Sequence, residues 1–131
     1  MLKRSEARNN AFLLLFETSF VEQPDRESVL ATAKECHDIE TDDFVLELFH
    51  GVLDHQAQLD ADLNTRCSRR TTDRLSKMLL TALRIAAYEL TYTDTAPAVV
   101  INEALNLIKK YDSPEAAAYG NGVLASYVRK P

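Results

Sequence analysis

The residues best equipped for chemistry in this chain are few: three histidines and two cysteines in 131 residues, with acids outnumbering bases. His50 and His55 are five apart, so a helix does not bring them to the one-turn spacing at which two imidazoles share a metal. Cys36 and Cys67 lie outside any C-x-x-C pattern, which supports neither a zinc site nor a disulfide framework. Cys36 and His37 are adjacent, and on a helix they point about 100° apart, so they read as a buried thiol beside a surface imidazole. The pairs Asp42-Asp43 and Asp60/Asp62 read as a helix start and a solvated face. Glu89 and Glu103 each sit inside a mainly apolar stretch and call for a base or a helix end as partner; Arg84 reaches Glu89 only if both side chains bend. There is no G-x-S-x-G, P-loop or glycine-rich phosphate cradle. The chemistry-bearing residues predict no enzyme, no cofactor and no metal.

Charge is more informative. The formal net charge is −5, against non-specific nucleic-acid binding, but it is unevenly spread. Residues 17–62 hold thirteen acids against Arg26 and Lys34. Residues 1–10 hold Lys3, Arg4 and Arg8 against Glu6, and residues 66–77 hold Arg66, Arg69, Arg70, Arg74 and Lys77 against Asp73. Two short basic patches could meet RNA or another acidic partner locally; by themselves they read sooner as solvated surface.

The elements that must position these residues are helices. With three glycines and four prolines there is little punctuation, and no segment alternates with period two. Ala7, Ala11, Phe12, Leu15, Phe16 and Phe20 recur at helical steps over 4–20. Gln23-Pro24-Asp25 breaks that helix, and Asp25 caps a second over 26–37. Thr41-Asp42-Asp43 starts a third, striped by Val45, Leu48, Phe49, Val52, Leu59 and Leu63. Thr71-Thr72-Asp73 starts a fourth running to Tyr92, apolar on more than one face and therefore central. Pro97 opens a fifth, and Ser113-Pro114-Glu115 a sixth lined by Val123, Leu124, Tyr127 and Val128. The prediction is an all-α single domain of about six helices over 1–131. The longest apolar runs, such as F-L-L-L-F at 12–16, fall far short of the roughly 20 residues a membrane span needs. No secretory leader is expected, and a cytoplasmic location is the default.

Three segments taken together, A-L-R-I-A-A-Y-E-L (82–90), P-A-V-V-I-N-E-A-L-N-L-I-K-K-Y (97–111) and Y-G-N-G-V-L (119–124), resemble the NusB family of transcription antitermination proteins in order and spacing. R-S-E-A-R-N-N-A followed by L-L-F at 14–16 resembles that family's arginine-rich opening helix, so the likeness runs from about residue 4 to 128. The resemblance implies a compact bundle of two helical subdomains that is not an enzyme. It implies binding of a single-stranded RNA element, boxA, in ribosomal RNA transcripts. The RNA is held jointly with NusE, a small-subunit ribosomal protein, in a complex with NusA, NusG and RNA polymerase.

Carried over residue by residue, the resemblance assigns RNA contact to Lys3, Arg4, Arg8, Phe16, Glu115 and Tyr119. Phe16, where the family commonly has tyrosine, either packs in the core or offers a face to a base, and Tyr119 has the same two readings. The opening helix is less basic than the family's, with Ser5 and Glu6 among its charges, so binding leans more on the partner. Arg74, Lys77, Leu80 and Arg84 are candidate contacts for NusE or for a second copy of the chain, although Leu80 reads first as core of a central helix. The alternative function is a protein-binding helical module, or homodimer, with weak or no RNA binding; reversing Arg4 and Arg8 to glutamate separates the two. Finally, Gly122 matches the glycine of the family's N-G-V-L and reads as a close helix approach. Gly120 replaces a larger apolar residue, so valine or alanine there should stabilise.

Overall fold

The computed structural model describes residues 2–67 and 72–128. Its helices are α1 (Arg4–Thr18), α2 (Arg26–Cys36), α3 (Asp43–Arg66), α4 (Lys77–Tyr92), α5 (Pro97–Tyr111) and α6 (Pro114–Ala125), with one 3₁₀ turn, Thr72–Arg74; there is no strand among the described residues. Local chemistry sets most of their ends. The Asp25 carboxylate accepts from Ser28 N, and Asp42 Oδ1 accepts from Val45 N at 2.9 Å, each capping its helix. That bond, with a second from Leu2 N, holds the Asp42 carboxyl below the ordinary carboxylate range. Ser113 caps α6 through Ala116 N, ahead of Pro114 at the first helical position.

The fourth helix starts later than Thr71-Thr72-Asp73 suggests. Thr71 lies outside the described residues. Thr72 is buried, its N–H donating to Asn64 Oδ1 on α3 at 2.8 Å, and the cap of α4 is Ser76, whose Oγ accepts from Leu79 N. A tertiary bond thus takes up the group that would have opened a longer helix. In α3 the capping group is the Asp42 carboxylate.

Helices α1–α3 pack together, α4–α6 pack together, and the long α3 against α4 joins the two halves. One continuous core runs through both, from Phe12, Leu14 and Phe49 to Leu83, Ile108 and Leu124, all nearly inaccessible. The central position expected of α4 is observed: it meets α1, α3, α5 and α6, and even its polar Thr81 and Glu89 are buried. Gly51 of α3 faces Tyr88 of α4, where a Cβ would fall 2.3–2.6 Å from the ring and hydroxyl of Tyr88. No described helix is long and apolar enough to cross a membrane.

The two glycines of α6 exchange the roles expected of them. Gly122 is exposed, and a Cβ there would meet nothing within 4 Å, so no helix approaches it. Gly120 is buried, and its Cβ would lie 2.9 Å from Ile108 Cδ1 and 3.4 Å from Leu79 Cδ1. The close approach of α6 to α4 and α5 therefore rests on Gly120, and valine there is overpacking rather than repair.

Candidate nucleic-acid interface

The opening helix carries the first group of candidate contacts. Lys3 and Arg4 are exposed at its start, where the Lys3 side chain makes no capping bond. The Arg4 guanidinium lies 4.0 Å from the Phe44 ring centroid, held against α3 by a cation–π contact.

Arg8 departs from its expected role. It is 4% exposed, and its Nε and Nη2 donate to Glu89 Oε2 and Oε1 at 2.8 and 2.9 Å in a bidentate pair. Glu103 stands 3.9 Å from Nη1 and accepts from Ser5 Oγ at 2.6 Å. The hydrogen bond to Glu89 raises the Arg8 pKa further, so this guanidinium stays charged and turned inward. The two acids that needed a partner have found the same one, from α1 and not from their own helices. Arg84 is likewise occupied, but by Asp60 on α3 at 2.7 Å through both nitrogens, not by Glu89. Asp60 and Asp62 are accordingly not a solvated face, since Asp62 pairs with Arg66.

Along α1 the aromatic residues line up. Phe12 stacks on Tyr111 of α5 with centroids 4.8 Å apart, Phe16 stands parallel to Phe12 at 6.2 Å, and Phe20 meets Phe16 edge-on at 5.1 Å. Exposure rises along the row, from buried Phe12 through half-buried Phe16 to Phe20 at 62%. A lysine stands at each end: Lys110 Nζ is 5.1 Å from the Tyr111 ring, and Lys77 Nζ is 5.2 Å from the Phe20 ring while donating to Ser19 O. A row of rings with cations at its ends suits unpaired bases and their phosphates. Sequence reasoning had Phe16 and Lys77 but missed Phe20, Tyr111 and Lys110 as members of this row. Two lysines at the C-terminal end of an amphipathic helix were the available signal, and they read as dipole partners.

Beside Phe20 a cleft of about 330 Å³ opens between the end of α1, the α1–α2 loop and the first turns of α4, with Lys77, Leu80 and Arg84 on its wall. Three of the four candidate partner contacts therefore share one feature, and Arg74 stands exposed on the preceding turn. Leu80 is half-buried at this wall, not sealed in the core. On α6, Glu115 is exposed in the first turn and Tyr119 is half-buried against the core. Of the second basic patch, Arg69 and Arg70 lie outside the described residues, while Arg66 is bound to Asp62 and Ser126 and covers the Tyr127 ring.

Nothing in the described residues gathers three or more potential metal ligands. Cys36 is exposed and Cys67 half-buried, so the buried thiol expected at Cys36 is not there. His50 sits 3.2 Å from Arg26 Nη1, and His55 stacks on Tyr92 at 4.3 Å, which makes both more than surface imidazoles.

Comparison with known proteins gives a consistent result. The model of the NusB family matches residues 5–129. Transcription antitermination protein NusB of Agathobacter rectalis is 32% identical over 130 residues, covering 96% of this chain and 99% of that protein. Its counterpart from Lacticaseibacillus paracasei is 36% identical over 131 residues, covering 98% and 96%. Among solved structures, a chain in the complex of antitermination factors NusB and NusE with double-stranded RNA superposes with a TM-score of 0.82 at 26% identity, covering 95% of this chain and 94% of that one. These relatives are transcription antitermination proteins.

Proposed function

The chain belongs to the NusB family, and from that premise we propose that it is an RNA-binding adaptor of transcription antitermination. Its RNA is a single-stranded, boxA-type element of ribosomal RNA transcripts, held jointly with the ribosomal protein NusE. The complex with NusA, NusG and RNA polymerase suppresses premature termination in the cytoplasm. The observation that carries the reading is the lysine-ended aromatic row Tyr111–Phe12–Phe16–Phe20 beside the exposed Lys3 and Arg4. The solved relative complex holds double-stranded RNA, whose stacked bases hide their faces; the exposed Phe20 ring, next to half-buried Phe16, favours an unpaired strand. Glu115 and Tyr119 extend the path onto α6. Arg8 serves it indirectly, by fixing α1. The cleft wall at Leu80 and Arg84, with Arg74 beside it, is the surface offered to NusE, Lys77 stands where that surface meets the RNA path, and the whole chain acts as one RNA-binding domain.

A second reading has one observation in its favour. With Arg8 turned inward, the opening helix presents fewer cations than its sequence suggests, which fits a protein-binding module or homodimer. Fluorescence anisotropy with a labelled boxA-type RNA, with and without NusE at low salt, separates the two. The adaptor reading expects binding that NusE strengthens; no binding in either case overturns it.

A further inference from the structure

A polar cleft lies on the α1 face at the Lys110 end of the aromatic row. It has a volume of about 330 Å³ and is lined by Ser5, Glu6, Asn9, Asn10 and Lys110. Asn9 on its wall is a half-buried amide held by two donors from α5. Tyr111 Oη donates to Asn9 Oδ1 at 2.6 Å, and Lys110 Nζ donates to the same oxygen at 3.0 Å. Two donors converging on one atom decide which end of the amide is oxygen and leave that oxygen fully used. The amide nitrogen therefore presents only donors. One N–H points toward Asn10 Oδ1 at the long distance of 3.5 Å, and the second remains for the cleft. Asn10 is anchored in turn, its Nδ2 donating to Glu40 O at 2.9 Å.

We propose that this cleft is a base-reading subsite in which Asn9 Nδ2 donates to the keto oxygen of one unpaired guanine or uracil. The inference rests on the RNA-binding reading above and adds to it a residue that specifies sequence. A fixed donor fits the O6 of guanine or the O4 of uracil. The N6 or N4 amino group of adenine or cytosine would meet it donor to donor. Glu6, exposed and on the same cleft, can accept the imino N–H next to that oxygen. Lys110 spends one of its three donors on Asn9 and keeps the others for a phosphate. The neighbouring Tyr111 ring is half-buried, one face stacked on Phe12, and ties the cleft to the aromatic row. Phosphate contacts set the register and this subsite reads it.

The test is anisotropy on the full chain at fixed salt, with a panel of labelled 12-nucleotide RNAs varied one position at a time. Wild type, Asn9→Asp and Asn9→Ala are compared. Asn9→Asp keeps an oxygen for Tyr111 and Lys110, so its melting temperature should match wild type while its donor is gone. The expected result is a preference for keto over amino bases at one position, on the order of tenfold in wild type. Both variants should lose that preference, even where the new charge of Asn9→Asp lowers affinity for every RNA. Preference retained in the variants overturns the proposal and returns Asn9 to a purely structural tie between α1 and α5. Binding without any keto preference in wild type overturns the subsite and leaves the RNA-binding reading intact. Absence of binding to every RNA overturns both.

Discussion

At the scale of single residues, the glycines separate what a sequence can say from what packing decides. Gly51 sits mid-helix in α3, and the Tyr88 ring occupies the space a methyl group would need, with Cζ at 2.3 Å. Ring atoms cannot swing aside as an aliphatic tip can. Gly51→Ala is therefore expected to lower stability by about 3 kcal/mol, at the upper end of overpacking costs, read as a fall in the urea midpoint. In α6 the expectation now has opposite signs at two neighbouring positions. Gly122→Ala, exposed and with no positive φ to forbid it, should gain about 1 kcal/mol of helix propensity. Gly120→Val should lose about 1–3 kcal/mol against Ile108 and Leu79. Gly120→Ala should be close to neutral, because only the mobile Ile108 tip has to yield. A urea series in which Gly120→Val outlasts wild type would show that α6 sits less tightly than described. The glycines were visible in the chain, but which of them was crowded depended on residues twelve and more positions away.

At the scale of elements, Arg8 and Glu89 tie α1 to the centre of α4, with Glu103 of α5 and Ser5 of α1 at their edge. Removing one partner leaves the other buried and unpaired. Arg8→Ala should therefore cost about 3–5 kcal/mol, whereas Arg8→Met with Glu89→Leu should recover most of that loss. A double-mutant cycle on Arg8→Met and Glu89→Leu by urea unfolding measures the coupling; losses that simply add in the double variant would mean that the pair does not hold α1 in place. It follows that Arg8→Glu is a poor probe of RNA binding, since it places two acids face to face in the interior; Arg4→Glu alone is the clean charge reversal. The helices themselves were largely legible because Asp25, Pro97 and Ser113-Pro114 act on their own neighbours. The start of α4 was not, because Thr71-Thr72-Asp73 and Ser76 are both sound capping sequences and only the bond from Thr72 N to Asn64 decides between them. The candidate site was legible by residue type more than by role. Basic and aromatic residues on α1 stood out, but Arg8–Glu89 and Asp60–Arg84 are 81 and 24 positions apart and leave no local signature. The same holds for the reach of Phe12 to Tyr111.

At the scale of the whole molecule, a protein of net charge −5 can attract a polyanion only where its cations are gathered and uncommitted. The proposed path supplies Lys3 and Arg4 at the start of α1, Lys77 beside Phe20 and Lys110 beside Tyr111. Arg8, Arg66 and Arg84 are spent on Glu89, Asp62 and Asp60. Each phosphate neutralised on a single strand contributes about −0.7 to the slope of log Kobs against log salt concentration. The path therefore predicts a slope near −3, and Lys110→Ala should bring it to about −2. Anisotropy titrations over a range of salt concentrations give the number directly. A slope near −4 would bring Arg69 and Arg70 into the path. A slope near zero would mean that the face is held by rings alone or belongs to a protein partner, and the lysine-ended row would lose its assignment.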